Sequence, residues 1–221
     1  MLVTESASEQ ISFASQIKAS SQDNHTAAEE SPYMATLVRG EFTVEQYAWL
    51  VKQLQVIYAA LDSNCAKNNN QLDLAPFFTS KLQAAAALDA DWDALVAMED
   101  VDTDSIYVTD ATLAYAARLN ELGNEWPAGL LAHHYTRYLG DLSGGRVISK
   151  VLEKGLPLSK DNGLSFYEFP EIESIPAFRT SYRENLDKLD WNDETRERFI
   201  AEVNTAFELN QNVFKSLEFV L

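Results

Sequence analysis

The stretch His133-His134-Tyr135-Thr136-Arg137-Tyr138-Leu139-Gly140-Asp141-Leu142-Ser143-Gly144-Gly145-Arg146 is where residue types and spacing bear most directly on chemistry. Three glycines interrupt what is otherwise a helical pattern, each at a cost of about 1 kcal/mol relative to alanine. Gly140 and Gly144 are four apart and share a helical face, so the backbone there is bare and open to close approach. The partner that approaches is either a second helix packed through small residues or a planar ligand, and Gly144-Gly145 also invites a kink. Elsewhere, Arg179 and Arg183, spaced i, i+4, present two cations on one helical face. The histidines are at 25, 133 and 134, and a lone imidazole near a helix end, such as His25, is by itself more often a surface or capped residue than a ligand.

The elements that must position these residues are helices. From Phe42 to Asn64 the apolar residues Val44, Tyr47, Leu50, Val51, Leu54, Ile57, Tyr58 and Leu61 recur at three and four. Ser63 to Asn70 is polar and reads as a helix end and loop that includes Cys65. A further helix is expected from Leu72 to about Leu88, favoured by the alanines at 84 to 87. A short one follows on the face of Trp92, Leu95 and Met98. Thr109 to Leu122 is helical, with Gly123 as its expected C-cap. Pro127 opens the glycine-bearing helix, which runs through Leu152. Gly155 to Gly163 is a break and Phe166 to Pro170 is turn-like. Helices from Pro176 to about Leu189 and from Asn192 to about Phe219 complete an all-α chain without internal repeats.

The 221 residues suit one domain, 1–221, with residues 1–9 expected as a flexible N-terminus. Thirty-four acidic residues against 17 basic ones give a net charge of -17, which argues against nucleic-acid and membrane-surface binding. Eight of the acids fall between residues 82 and 110 without a Lys or Arg, which reads as a solvated face. One cysteine excludes an internal disulfide framework and a multi-cysteine metal centre. No stretch approaches the ~20 apolar residues of a membrane span. Met1 to Gln10 lacks the basic and apolar regions of a secretory signal. A soluble cytoplasmic chain is expected, or one of the plastid stroma.

Tyr135 to Gly145 resembles the signature of the heme oxygenases. His25 through Met34, Tyr58-Ala59-Ala60-Leu61, Tyr182-Arg183 and Thr205-Ala206-Phe207 with Asn210 and Phe214 fit the same family in order, from about Phe13 to Leu217. The paired His133-His134 before the motif resembles the bacterial iron-acquisition type more than the others. The resemblance implies a heme sandwiched between a proximal N-terminal helix and the kinked glycine-rich distal helix. Heme b is then both substrate and prosthetic group, and dioxygen is the co-substrate. The products are biliverdin, ferrous iron and carbon monoxide.

By this resemblance His25 is the proximal iron ligand, oriented by Glu29 one turn on. Lys18, two turns before His25, reaches toward a propionate, and Tyr135, Arg179 and Arg183 hold that edge. Asp141 serves oxygen activation by holding a water, with the Gly140 and Gly144 backbone close to the iron. Tyr58, Tyr115, Arg137 and Asn210 extend the hydrogen-bonded network. Phe207 and Phe214 line the pocket. The chain departs from the common family pattern at Arg179, where Lys is frequent, at Gln22, where some members carry Lys, and at Arg146, where Gln is usual.

A di-iron carboxylate bundle needs Glu-x-x-His motifs, but Gln22, Leu130 and Leu131 stand three residues before the histidines. A thiamin-type pyrimidine hydrolase needs a nucleophilic Cys, and Cys65 has no His near it in sequence. A non-catalytic heme carrier of the same fold is the remaining alternative, and the retained Asp141, Arg137, Tyr58 and Asn210 argue against it. No nucleotide fingerprint or cysteine cluster is present, so electrons must come from a ferredoxin or an NAD(P)H-dependent flavin reductase. Between residues 134 and 160, Arg137, Arg146, Lys150, Lys154 and Lys160 outnumber Asp141 and Glu153. Exposed members of that set, with Lys18 and Arg179, are expected to form the docking patch of a monomer.

Overall fold

Short polar side chains start most of the helices by accepting a hydrogen bond from an otherwise unpaired backbone N–H of the first turn. In the computed structural model, which describes residues 11–221, Ser12 caps α1 (Phe13–Glu29) and Ser31 caps α2 (Pro32–Arg39). Thr43 and Gln46 form a reciprocal capping box at α3 (Val44–Asn68). Thr109 caps α5 (Asp110–Glu125), Ser174 caps α8 (Ile175–Asp187) and Asn192 caps α9 (Asp193–Ser216). Pro127 supplies the first residue of α6 (Pro127–Gly140), and α7 (Arg146–Gly155) continues beyond it. The all-α expectation holds, with no strand among the described residues. The expectation for residues 1–9 lies outside them.

α4 (Ala85–Val96) departs from the expected helix at 72–88. Pro76 removes an N–H donor and disfavours helical geometry at Ala75. Leu74, Phe77, Phe78 and Leu82 are therefore buried from a run of turns instead. The helix begins later because Asp62 of α3 accepts the N–H groups of Ala84 (2.8 Å) and Ala85 (3.0 Å). The polar segment at 63–68 is helix, not loop. Asn64 donates to Asn120 Oδ1 (2.8 Å) and Asn68 to the carbonyl of Gly123 (2.9 Å), so the amide donors of both side chains find partners on α5. Cys65 is accordingly buried in the last turn of α3, at the helix end as expected but not in a loop. Gly123 lies inside α5 and does not cap it. A Cβ there would fall 2.3 Å from Asn64 Oδ1, so glycine is what allows α3 and α5 to meet.

The core runs along α3 through Tyr47, Val51, Leu54, Ile57 and Leu61, and meets Leu119 of α5, Leu130 and Leu131 of α6 and Phe199 and Val203 of α9. α1 lies across α9, and α6 packs against α9 and α5. A 3-10 turn, Ser165–Tyr167, is anchored to α4 by Asp91, whose carboxylate accepts the N–H groups of Ser165 (2.7 Å) and Phe166 (2.8 Å). That turn presses the Tyr167 ring against the distal segment, where a Cβ on Gly145 would lie 3.1 Å from Tyr167 Cδ1.

Candidate functional site

A cavity of about 530 Å³ opens between α1 and the glycine-bearing segment, within the range of small-molecule sites. Leu37, Leu50, Leu54, Ile148, Phe207 and Phe214 form its apolar wall. The expected kink is a π turn at Asp141–Gly145, where one wider turn joins α6 to α7 without leaving helical dihedrals. Gly140 and Gly144 both line the cavity, and a Cβ on either would meet nothing within 4 Å. This settles the choice left open by their spacing: the bare face looks into empty space, not onto a second helix.

Beside that face, Asp141 anchors a buried polar cluster. The Tyr58 hydroxyl donates a short hydrogen bond to Asp141 and accepts one from Arg137 Nε (3.0 Å). Arg137 Nη1 donates to Asn210 Oδ1 (2.6 Å). Burial pushes the Asp141 carboxyl up to about 6, although Arg137 and the Tyr58 hydrogen bond act in the opposite direction. Asp141, Arg137 and Asn210 line the cavity, while Tyr58 stands behind them. Tyr115 is also off the cavity, with its hydroxyl 3.3 Å from His133 Nδ1.

His25 lines the cavity from α1 with its side chain 46% exposed. Its Nδ1 lies 3.4 Å from Glu29 Oε2, and Nε2 makes no hydrogen bond among the described residues. The His25 ring meets the edge of Phe207 at 5.7 Å. Lys18, Gln22, Tyr135, Arg179 and Arg183 line the same cavity. Arg179 Nε is buried and unpartnered among the described residues. Burial, then the like charge of Arg183, lowers its pKa, opposed by Tyr135. Two arginines at a cavity, with no carboxylate partner among the described residues, suit an anionic ligand.

His133 and His134, though beside the motif, face away from the cavity. His133 Nε2 lies 2.9 Å from Glu202 Oε1, and Arg118 grips the same carboxylate. Burial alone would raise the Glu202 carboxyl, but the hydrogen bonds from His133 and Arg118 outweigh it and hold it at about 2. His134 Nδ1 pairs with the Tyr182 hydroxyl (2.8 Å), and burial lowers its pKa to about 3. Of the basic residues expected at a docking patch, Arg137 is buried in the polar cluster and belongs to no surface. Arg146, Lys150 and Lys154 form an exposed stripe on α7, and Lys160 is exposed beyond it. Sequence reasoning missed Glu202, Arg118 and Asp91, because the contacts of Glu202 with Arg118 and His133, and of Asp91 with Ser165 and Phe166, join residues 69 to 84 apart, and the local Arg118–Glu121 pair does not point to them.

The heme oxygenase family model matches residues 11–216. A heme oxygenase of Takifugu rubripes is 35% identical over 95% of this chain and 75% of its own length. The crystal structure of heme oxygenase-1 from the cyanobacterium Synechocystis, in complex with heme, superposes with a TM-score of 0.87 at 30% identity, covering 95% of this chain and 94% of that one. The heme oxygenase of Leptospira interrogans superposes with a TM-score of 0.86 at 32% identity, over 93% of this chain and all of that one. With the glycine face, the histidine-bearing helix and the cavity between them in place, the chain belongs to the heme oxygenase family.

Proposed function

We propose that the cavity takes heme with His25 as the proximal iron ligand and Asp141 as the proton-handling residue on the opposite side. As a member of its family the chain opens heme to biliverdin with release of iron and carbon monoxide, and consumes dioxygen. The observation that carries the site assignment is the bare face of Gly140 and Gly144, turned to a cavity that His25 also lines. The donor set fits the substrate. Heme is flat and carries two carboxylate arms, and the unpartnered Arg179 Nε, with Arg183 and Tyr135 beside it, would receive one. Lys18 supplies a further cation at the cavity, and Phe207 and Phe214 its apolar wall.

Bound heme supplies the iron that activates dioxygen and the meso carbon that is attacked. Glu29 orients the His25 ring through Nδ1, which leaves Nε2 for the metal. The glycine backbone keeps side chains off the distal side, so protons must come from Asp141 through water. A carboxyl near 6 exchanges its proton readily around neutral pH. Tyr58 fixes one oxygen of Asp141, and Arg137, held by Asn210, fixes Tyr58. The Tyr115 hydroxyl is joined instead to His133, whose other ring nitrogen faces Glu202, so Tyr115 belongs to the Glu202 pair and not to this hydrogen-bonded cluster.

A ferredoxin or a flavin reductase is the external electron donor in this reading, docked at Arg146, Lys150, Lys154 and Lys160 with Lys18 and Arg179. The exposed α7 stripe supports it, because it gives a local cationic surface on a chain of net charge -17. No helix of the described residues is long and apolar enough to cross a membrane. A reducing compartment, cytoplasm or plastid stroma, suits the free and buried Cys65, and the chain is read as a monomer. The test is hemin titration followed by ascorbate under air. The parent is expected to form a 1:1 complex whose Soret band gives way to biliverdin absorption. His25→Ala should lose the histidine-ligated spectrum and turnover together, and biliverdin formation at the parent rate would overturn the assignment.

A further inference from the structure

The two halves of α1 are held by different forces. The first half carries core residues: Phe13, Ala14 and Ile17 are buried, Phe13 meets Trp191 and Phe199, and the Ala14 N–H donates to Asp187 Oδ1 (2.8 Å). Ser21 is the last buried residue of the helix. Residues 22–29, which include His25, lie over the cavity and bury no side chain fully. Apart from Ala28 at the core's edge and the His25 ring on Phe207, this half-helix has no apolar anchor, so polar contacts must help to keep it closed.

What holds it is a pair of hydrogen bonds converging on Asn24, the neighbour of His25. Asn24 Nδ2 donates to Asn204 Oδ1 of α9 (2.8 Å), and Gln211 Nε2, two turns further along α9, donates to the Asn24 backbone carbonyl (3.0 Å). Asn204 is itself fixed by donating to the carbonyl of Ile200 (3.2 Å). All three side chains are half-buried, and none lines the cavity. We propose that Asn204 and Gln211 are positioning residues, a polar clasp that holds the His25 half of α1 over the cavity and thereby sets how long heme is retained. The clasp's functional half rests on the reading of His25 as the iron ligand.

The test uses the full chain, first without hemin. Amide hydrogen exchange in residues 22–29 should accelerate about fivefold in Asn204→Leu and about fivefold in Gln211→Leu, and about 25-fold in the double variant, as expected for one hydrogen bond each. Exchange in residues 13–21 should not change. Asn204→Asp keeps an oxygen to accept from Asn24 but loses the donation to Ile200, so its acceleration should be smaller than that of Asn204→Leu. With hemin bound, transfer to an excess of apomyoglobin should accelerate by the same factors. Unchanged exchange in residues 22–29 of the double variant, or equal acceleration in 13–21, overturns the clasp. Faster exchange with unchanged hemin loss overturns its role in retention. His25→Ala tests the ligand assignment separately, since a histidine-ligated spectrum that survives there refutes that assignment whatever the exchange shows.

Discussion

Replacing Asp141 with asparagine separates what this residue costs the fold from what it does in the reaction. Burial raises its carboxyl from 3.8 to about 6 even after Arg137 and Tyr58 have pulled it down. A carboxyl with a raised pKa binds more protons folded than unfolded between those two values. Its contribution to stability therefore falls as pH rises from about 4 to about 6 and stays lost above that. At about 1.4 kcal/mol per unit, the ionised group costs the fold about 3 kcal/mol at neutral pH, a ceiling because water in the cavity screens the charge. Asparagine keeps an oxygen to accept from Tyr58 and removes the charge. The hemin-free variant should be more stable than the parent by up to about 3 kcal/mol at pH 7, with the difference closing as pH approaches 4. Biliverdin formation should fall by about a hundredfold or more, the usual reach of a lost proton donor. Urea unfolding of both proteins across pH 4 to 8, with hemin turnover at pH 7, measures both effects. A variant less stable than the parent at pH 7, or a difference that ignores pH, would refute the reasoning, because Arg137 would then be stabilising the carboxylate as an ion pair.

The glycines predict opposite outcomes for the same substitution. Gly144→Ala meets nothing within 4 Å, so helix propensity should raise the hemin-free melting temperature by about 2–4 °C while the new methyl lowers hemin affinity and turnover. Gly123→Ala would place a methyl against Asn64 and should cost about 1–3 kcal/mol in urea unfolding, with hemin affinity little changed. At the proposed docking face, Lys150→Glu with Lys154→Glu should slow ferredoxin- or reductase-driven turnover severalfold, most at low salt, and leave ascorbate-driven turnover unchanged. Equal rates with the protein donor would remove α7 from the docking surface.

Helix order was legible where spacing and caps agree. Thr109, Pro127 and Asn192 mark starts that the structure places within a residue of expectation, because each cap acts within one turn of itself. The 72–88 segment failed because its helix start is set by Asp62, more than 20 residues away, and by Pro76. Asn64 and Asn68 look like loop residues until their partners on α5, the Asn120 side chain and the Gly123 carbonyl, are known. The glycine face could be read from spacing, but its partner could not, since helix and ligand demand the same small residues. The roles of Tyr58, Arg137 and Asn210 came from family resemblance alone, and their contacts with one another and with Asp141, 73 to 83 residues apart, are visible only in the fold.

The grip of Asp91 on Ser165 and Phe166 has a consequence for how this chain can grow. It pins the chain immediately after the connection that leaves α7, while Leu156, whose N–H donates to the carbonyl of Leu152, pins it before. Between them, Ser159 and Asn162 exchange backbone hydrogen bonds around an exposed tip at Lys160 and Asp161. Because both ends are anchored, segments inserted between Lys160 and Asp161 add loop-closure cost of only about 0.6 kcal/mol for each doubling of loop length. They do so without moving Tyr167 from Gly145. A short affinity handle can therefore be carried at that tip without disturbing the fold, whereas a bulky module there would stand beside Lys160 and obstruct the proposed docking face.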